Sequence, residues 1–291
     1  MEAREHRSVR AFIQRHTVIT FYVLVLVFLI FTAGPVALLG SGAGGEAASA
    51  AEMGPVMYVT AVLAGPLCYA LAAVVVIALA SGRAGLSDLR ARSMRWRVGI
   101  RWYAVALLTA PLLQAAILFA FLLTSKAFLP DIATAEDRAS LLIAALVAGL
   151  VAGFFEELGW TGFATPEHRK RHSLLATGLL VGLPWCLLHS PIYLATDSGA
   201  IPMALYVPVM AFSVLLPYRV LMVWVYDHTQ SVLMAMLMHL PISASAFLLG
   251  SAAMVGLPDL IFNLVFGATL WVLVAATLAA DRPQKTLAIQ T

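Results

Sequence analysis

The sequence predicts an all-α membrane protein with about eight transmembrane helices. Three observations predict it. The 291 residues are 62% hydrophobic and 11% charged, with a mean hydropathy of +0.92; soluble domains are about 45–50% apolar and 25% charged. Apolar windows of the ~20 residues needed to cross a bilayer recur eight times along the chain. The loops between them alternate between basic and Lys/Arg-poor, as the positive-inside rule requires.

The first window, 17–39, follows Arg4, Arg7, Arg10 and Arg15. It is longer than the apolar stretch of a signal peptide, so it is expected to remain as a span. The second window is 54–80, and the intervening loop carries Glu46 and Glu52 but no Lys or Arg. Segment 81–101 then brings six arginines, from Arg83 to Arg101, with Trp96 and Trp102 interleaved. It reads either as a plain topogenic loop or as an amphipathic helix lying in the membrane interface. The third window, 102–124, leads to a loop with Asp131, Glu136 and Asp137 against Lys126 and Arg138. Windows four and five, 139–160 and 173–195, flank the basic triplet Arg169, Lys170 and Arg171. Windows six to eight are 201–225, 230–250 and 258–280; the 196–200 loop carries only Asp197, the 251–258 loop has no Lys or Arg, and Asp281, Arg282 and Lys285 follow the last window. An even number of spans with both termini cytoplasmic satisfies every loop. The whole chain, 1–291, is read as one polytopic membrane domain, placed in a bacterial plasma membrane by its Ala/Gly/Arg-rich composition. Cys68 and Cys186 lie within apolar runs and read as small hydrophobes, not as a disulfide. Nothing in the charge pattern points to nucleic acid.

Four ionisable side chains sit inside the apolar windows: Glu156 and Glu157 in the fourth, His189 in the fifth and His239 in the seventh. A charge at bilayer depth costs roughly 2.5–3.5 kcal/mol on insertion scales, so such residues usually have a use. Carboxylate with imidazole suits water activation or metal binding. Adjacent helix positions point about 100° apart, so one Glu faces a common point and the other orients it. Gly149 and Gly153 form a small-xxx-small face one turn earlier, where a neighbouring helix can approach closely. Pro184 and Pro191 imply a bent fifth span. Met234, Met236 and Met238 around His239 read as packing. Depth is a difficulty: Glu156 lies near the basic end of its span and His189 beyond the middle of its own. They converge only through a bend at Pro184, a deep start to the fifth span, or a tilted fourth helix.

The string Glu156-Glu157-Leu158-Gly159-Trp160-Thr161-Gly162-Phe163 resembles the first motif of the CAAX-protease and bacteriocin-processing (CPBP, or Abi) family, to which the Rce1-type prenyl endopeptidases belong. The motif is Glu-Glu-x-x-x-Arg. Trp185-x-x-x-His189 resembles its second motif, and His239-x-x-x-Ser243 its third, which is His-x-x-x-Asn or Asp. The resemblance covers 139–250 and implies a core built from spans four to seven. It implies an intramembrane endopeptidase that cleaves a membrane-associated or lipid-modified peptide. Glu156 is then the base for water, Glu157 its partner, His189 the base assistant or proton donor, and His239 the oxyanion donor, with Ser243, Trp160 and Trp185 in support. No cofactor is expected to be required; a divalent metal such as zinc, if used, would fall to Glu156, His189 and His239. The motif arginine is Thr161 here and the motif asparagine is Ser243. Arg219 or Arg169 is a candidate to replace the arginine, although Arg219 also reads as snorkelling to the cytoplasmic face near Asp227. The alternative reading is a catalytically inert scaffold or immunity-type protein that binds a partner through the same fold.

Overall fold

The computed structural model describes residues 10–40, 55–194, 196–251 and 253–281, without the side chains of 33–62. The chain is all-α, as expected. Its helices are α1 (Thr17–Gly40), α2 (Pro55–Ser93), α3 (Ile100–Leu122), the short α4 (Asp131–Thr134), α5 (Arg138–Gly159), α6 (Thr165–Arg169), α7 (Leu174–Leu194), α8 (Met203–Ser213), α9 (Leu215–Thr229), α10 (Val232–Leu249) and α11 (Leu257–Ala280). A 3₁₀ turn at Lys126–Phe128 and a π turn at Trp160–Ala164 complete the order. Among the described residues, seven stretches are long and apolar enough to cross a membrane, α8 and α9 counting together as one. The remaining expected span corresponds to α1, described as apolar over Thr17–Thr32. The Glu46/Glu52 loop and the terminal charges Arg4, Arg7, Arg282 and Lys285, on which the expected orientation partly rests, lie outside the described residues.

Helices are the natural solution because lipid offers the backbone no hydrogen-bond partners. Internal prolines are tolerated in five of them: Pro66, Pro111, Pro184, Pro191, Pro208 and Pro241 fall in α2, α3, α7, α8 and α10. Asp137 caps α5 by accepting from Ser140 N at 3.0 Å; hydrogen bonds from Ser140 hold its carboxyl below the usual range. Ser231 caps α10 and also donates to Arg95 O at 2.6 Å, tying the α9–α10 turn to the segment before α3.

α10 lies at the centre, packed between α5 and α3, while α9 packs on α7, and α2 on α1 and α5. The α5–α10 contact is made by the small-residue face. A Cβ on Gly149 would meet Leu240 O at 2.6 Å, and one on Gly153 would meet Met236 O at 2.8 Å and Leu240 N at 3.2 Å. These are backbone atoms and cannot swing aside. Gly153→Ala is therefore expected to destabilise the protein by about 1–3 kcal/mol, the usual penalty for overpacking. Gly65, with nothing within 4 Å of its would-be Cβ, is the control. Thermal melting in detergent should fall for Gly153→Ala and hold or rise for Gly65→Ala, and equal melting of the two would contradict this packing. Met234 and Met238 are fully buried in the main apolar cluster and Met236 in a smaller one, as expected of packing residues. Both cysteines are free and buried.

The 81–101 segment is docked on the protein, which neither reading of the sequence included. It is helical through Ser93, bends at Gly82, where φ is 62° and only glycine is comfortable, and folds back on the protein. Its apolar residue Leu89 is buried beside Trp160 and Phe163. Arg92 donates to Gly162 O and to Tyr226 Oη, both at 3.0 Å, and pairs with Asp88 at 2.8 Å. The arm thus clamps the π turn that follows the two glutamates.

Candidate active site

The site is built where α5, α7, α9 and α10 meet. α5 ends with Glu156 and Glu157, and the chain opens directly into the π turn, a wide turn of a kind often found at functional sites. Glu157 is 0% exposed. Its carboxylate accepts from Arg219 Nη1 at 2.8 Å and Nη2 at 2.9 Å, from His239 Nδ1 at 2.7 Å and from Thr161 Oγ1 at 2.5 Å. Two carboxylate oxygens offer about four lone-pair positions, and all are taken. Glu156 is also buried, at 5% exposure, but accepts one described hydrogen bond, from Trp185 Nε1 at 2.9 Å. Neighbours in sequence, the two acids are therefore unlike: one is saturated, the other has lone pairs to spare.

His189 is half-buried, and its Nδ1 lies 2.8 Å from Trp185 O. A carbonyl can only accept, so Nδ1 carries the proton and Nε2 is left as the basic nitrogen of the neutral ring. His239 uses Nδ1 on Glu157, which likewise leaves Nε2 for another partner. Trp185 joins these groups. Its ring lies edge-on to His189 and His239, with centroids 5.2 Å and 5.5 Å away, and the Arg219 guanidinium sits 4.0 Å from its centroid. The depth difficulty is thereby met: Trp185, one turn before His189 on α7, reaches Glu156 itself.

Arg219 does not snorkel. It is 0% exposed and bidentate on Glu157, while Asp227 is held by Arg169 at 2.7 Å. Thr161, in the place of the motif arginine, still bonds Glu157 through its hydroxyl. Ser243 lies one turn beyond His239, half-buried. Trp160 is packed into the fold. It is fully buried against Phe21 and Tyr69, with centroids 5.8 Å and 4.9 Å away, and packs the junction of α1, α2 and the π turn. Among the described residues no three His, Cys, Asp or Glu side chains are grouped to hold one ion, Glu156, His189 and His239 included.

A family model for "Type II CAAX prenyl endopeptidase Rce1-like" matches residues 138–244. The matched segment is less than half of the chain. It runs from the first residue of α5 into α10 and contains Glu156, Glu157, His189, Arg219 and His239. A curated relative, CAAX prenyl protease 2 of Methanococcus maripaludis, is 29% identical over 104 residues, which cover 34% of this chain and 38% of the relative. The likeness to the CPBP family read from the three motifs is shown, and with its apolar helices the chain is an integral membrane protein. The Rce1-like segment departs from the motifs at Thr161 and Ser243, and the geometry supplies the missing guanidinium from α9.

Proposed function

We propose that the protein is an intramembrane endopeptidase that hydrolyses a peptide bond of a membrane-associated, lipid-modified substrate. The observation that carries this reading is the asymmetry of the glutamates. Glu157 is saturated, so Glu156 is the carboxylate able to take a proton from water. Water oxygen attacks the scissile carbonyl carbon as its proton passes to Glu156. The carbonyl oxygen gains the charge and is met by His239 Nε2, which donates when the ring carries both protons; Glu157 on Nδ1 is the partner such a ring needs. The proton then passes from Glu156 to the basic Nε2 of His189, and the tetrahedral carbon expels the amine as His189 delivers that proton to its nitrogen, leaving a carboxylic acid, with Trp185 O fixing the ring. Ser243, one turn past His239, is a second candidate donor to the oxyanion. No step is routed through a metal.

The relative's name concerns prenylated CAAX substrates, so prenylated peptides head the panel to be tested. The positive-inside rule supports a cytoplasmic position for the glutamate end of α5, at the surface where a lipid-anchored peptide would lie. The test is cleavage of a fluorogenic lipidated-peptide panel by detergent-purified protein, wild type beside Glu156→Gln, with and without a chelator. Turnover by wild type in chelator and none by Glu156→Gln is the expected result. Turnover by purified Glu156→Gln sinks the reading, and loss in chelator moves the chemistry to a metal. Failure of the wild type on every peptide favours the inert scaffold.

A further inference from the structure

We infer that Arg219 is a positioning residue for Glu156, acting through Trp185; the inference rests on the proposed role of Glu156 as base. The guanidinium has two faces of work. Its edge is spent on Glu157, two N–H groups on two oxygens. Its cationic centre lies 4.0 Å from the Trp185 ring centroid, well within range of a cation–π contact. The other end of that indole donates from Nε1 to Glu156 Oε2 at 2.9 Å. One buried cation thus neutralises the saturated glutamate and holds the indole that aims the unsaturated one.

Local sequence makes room for this. Gly182 lies one turn before Trp185 on α7, and a Cβ there would meet Leu216 Cδ1 at 2.7 Å and stand 3.4 Å from both Cβ and Cγ of Arg219. The glycine lets α9 approach α7 closely at Leu216, which brings the arginine stem alongside the indole. The remaining edges of Trp185 meet His189 and His239, so the ring has no free direction in which to turn. Thr161 bonds Glu157 through a neutral hydroxyl and cannot supply the cation; α9 does.

Lysine in place of Arg219 tests this cleanly. It keeps the charge on Glu157 but loses the planar fork and its stacking on the ring. Arg219→Lys should purify and melt near wild type, and kcat should fall about tenfold to a hundredfold with KM nearly unchanged, the scale of an ångström-sized misplacement. Trp185→Phe, which removes the N–H and keeps a ring, should do the same. Combined, the two should cost no more than the larger alone, since they break one linkage. A readout without turnover accompanies these: the Trp185 indole N–H, followed by nitrogen-15 NMR in indole-labelled protein, should exchange with solvent faster in Arg219→Lys than in wild type. Independent, multiplying losses, or an unchanged indole exchange rate, overturn the inference. If Glu156→Gln retains turnover, the role of Glu156 falls instead, and the exchange rate still decides whether Arg219 holds Trp185.

Discussion

Glu156→Gln should yield a protein that folds and melts like wild type yet turns over no peptide, whereas Glu157→Leu, one residue along, should scarcely fold. The first change is nearly isosteric, and the Gln carbonyl can still accept from Trp185 Nε1; only the capacity to take a proton from water is lost. The second removes the partner of a fully buried cation. Arg219 would be left with both Nη groups unpaired, and its Nε already meets no partner. Breaking such a pair from one side typically costs about 3–5 kcal/mol, a large part of the 5–15 kcal/mol that holds a typical domain. Removing both charges is the control. Glu157→Leu/Arg219→Leu replaces a buried pair by apolar groups and should regain most of the melting temperature without regaining turnover. Melting curves and peptide cleavage on the three proteins decide it. A Glu157→Leu protein as stable as wild type would mean that the pair is not the strut described above.

How much of this was legible in the sequence depends on the range of the interaction involved. Spans are set by local hydropathy, so seven expected windows reappear as helices long and apolar enough to cross a membrane. The Gly149/Gly153 face was legible for the same reason: spacing of four on a helix fixes a face, and the face found α10. The folded-back arm was not. A run of arginines after a span reads alike whether it is solvated, interfacial or docked, and what docks it is tertiary: a positive φ at Gly82, Leu89 in a pocket and Arg92 on Gly162 O. The glutamates were legible as a pair but not as unlike members, because what separates them is Arg219, 62 residues away. Arg219 itself was ambiguous, since an arginine within an apolar run has the same local signature when it snorkels and when it pairs. Trp160 was legible only as a neighbour of the motif. Adjacency to a motif made it a candidate for substrate support, but the π turn carries its side chain away to Phe21 and Tyr69.

The histidines make the second large prediction, because the geometry gives them different moments in the reaction. His239, tied to Glu157 through Nδ1, has Nε2 left to meet charge on the carbonyl oxygen; His189, tied to a backbone carbonyl, has Nε2 left to move a proton. Removing an oxyanion donor typically lowers kcat by about 10²–10³, and removing a general acid by about 10²–10⁴, so the size of the loss will not separate them. The leaving group will. An amine must be protonated as it departs, whereas an activated ester departs as a stable anion. His189→Gln should therefore regain most of its turnover on an activated ester analogue of a cleaved peptide. His239→Gln should stay about as impaired on the ester as on the amide, because both pass through a tetrahedral oxyanion. Steady-state kinetics on matched amide and ester substrates makes the comparison. Equal rescue of both variants would remove the division of labour, and rescue of His239→Gln alone would exchange the two roles.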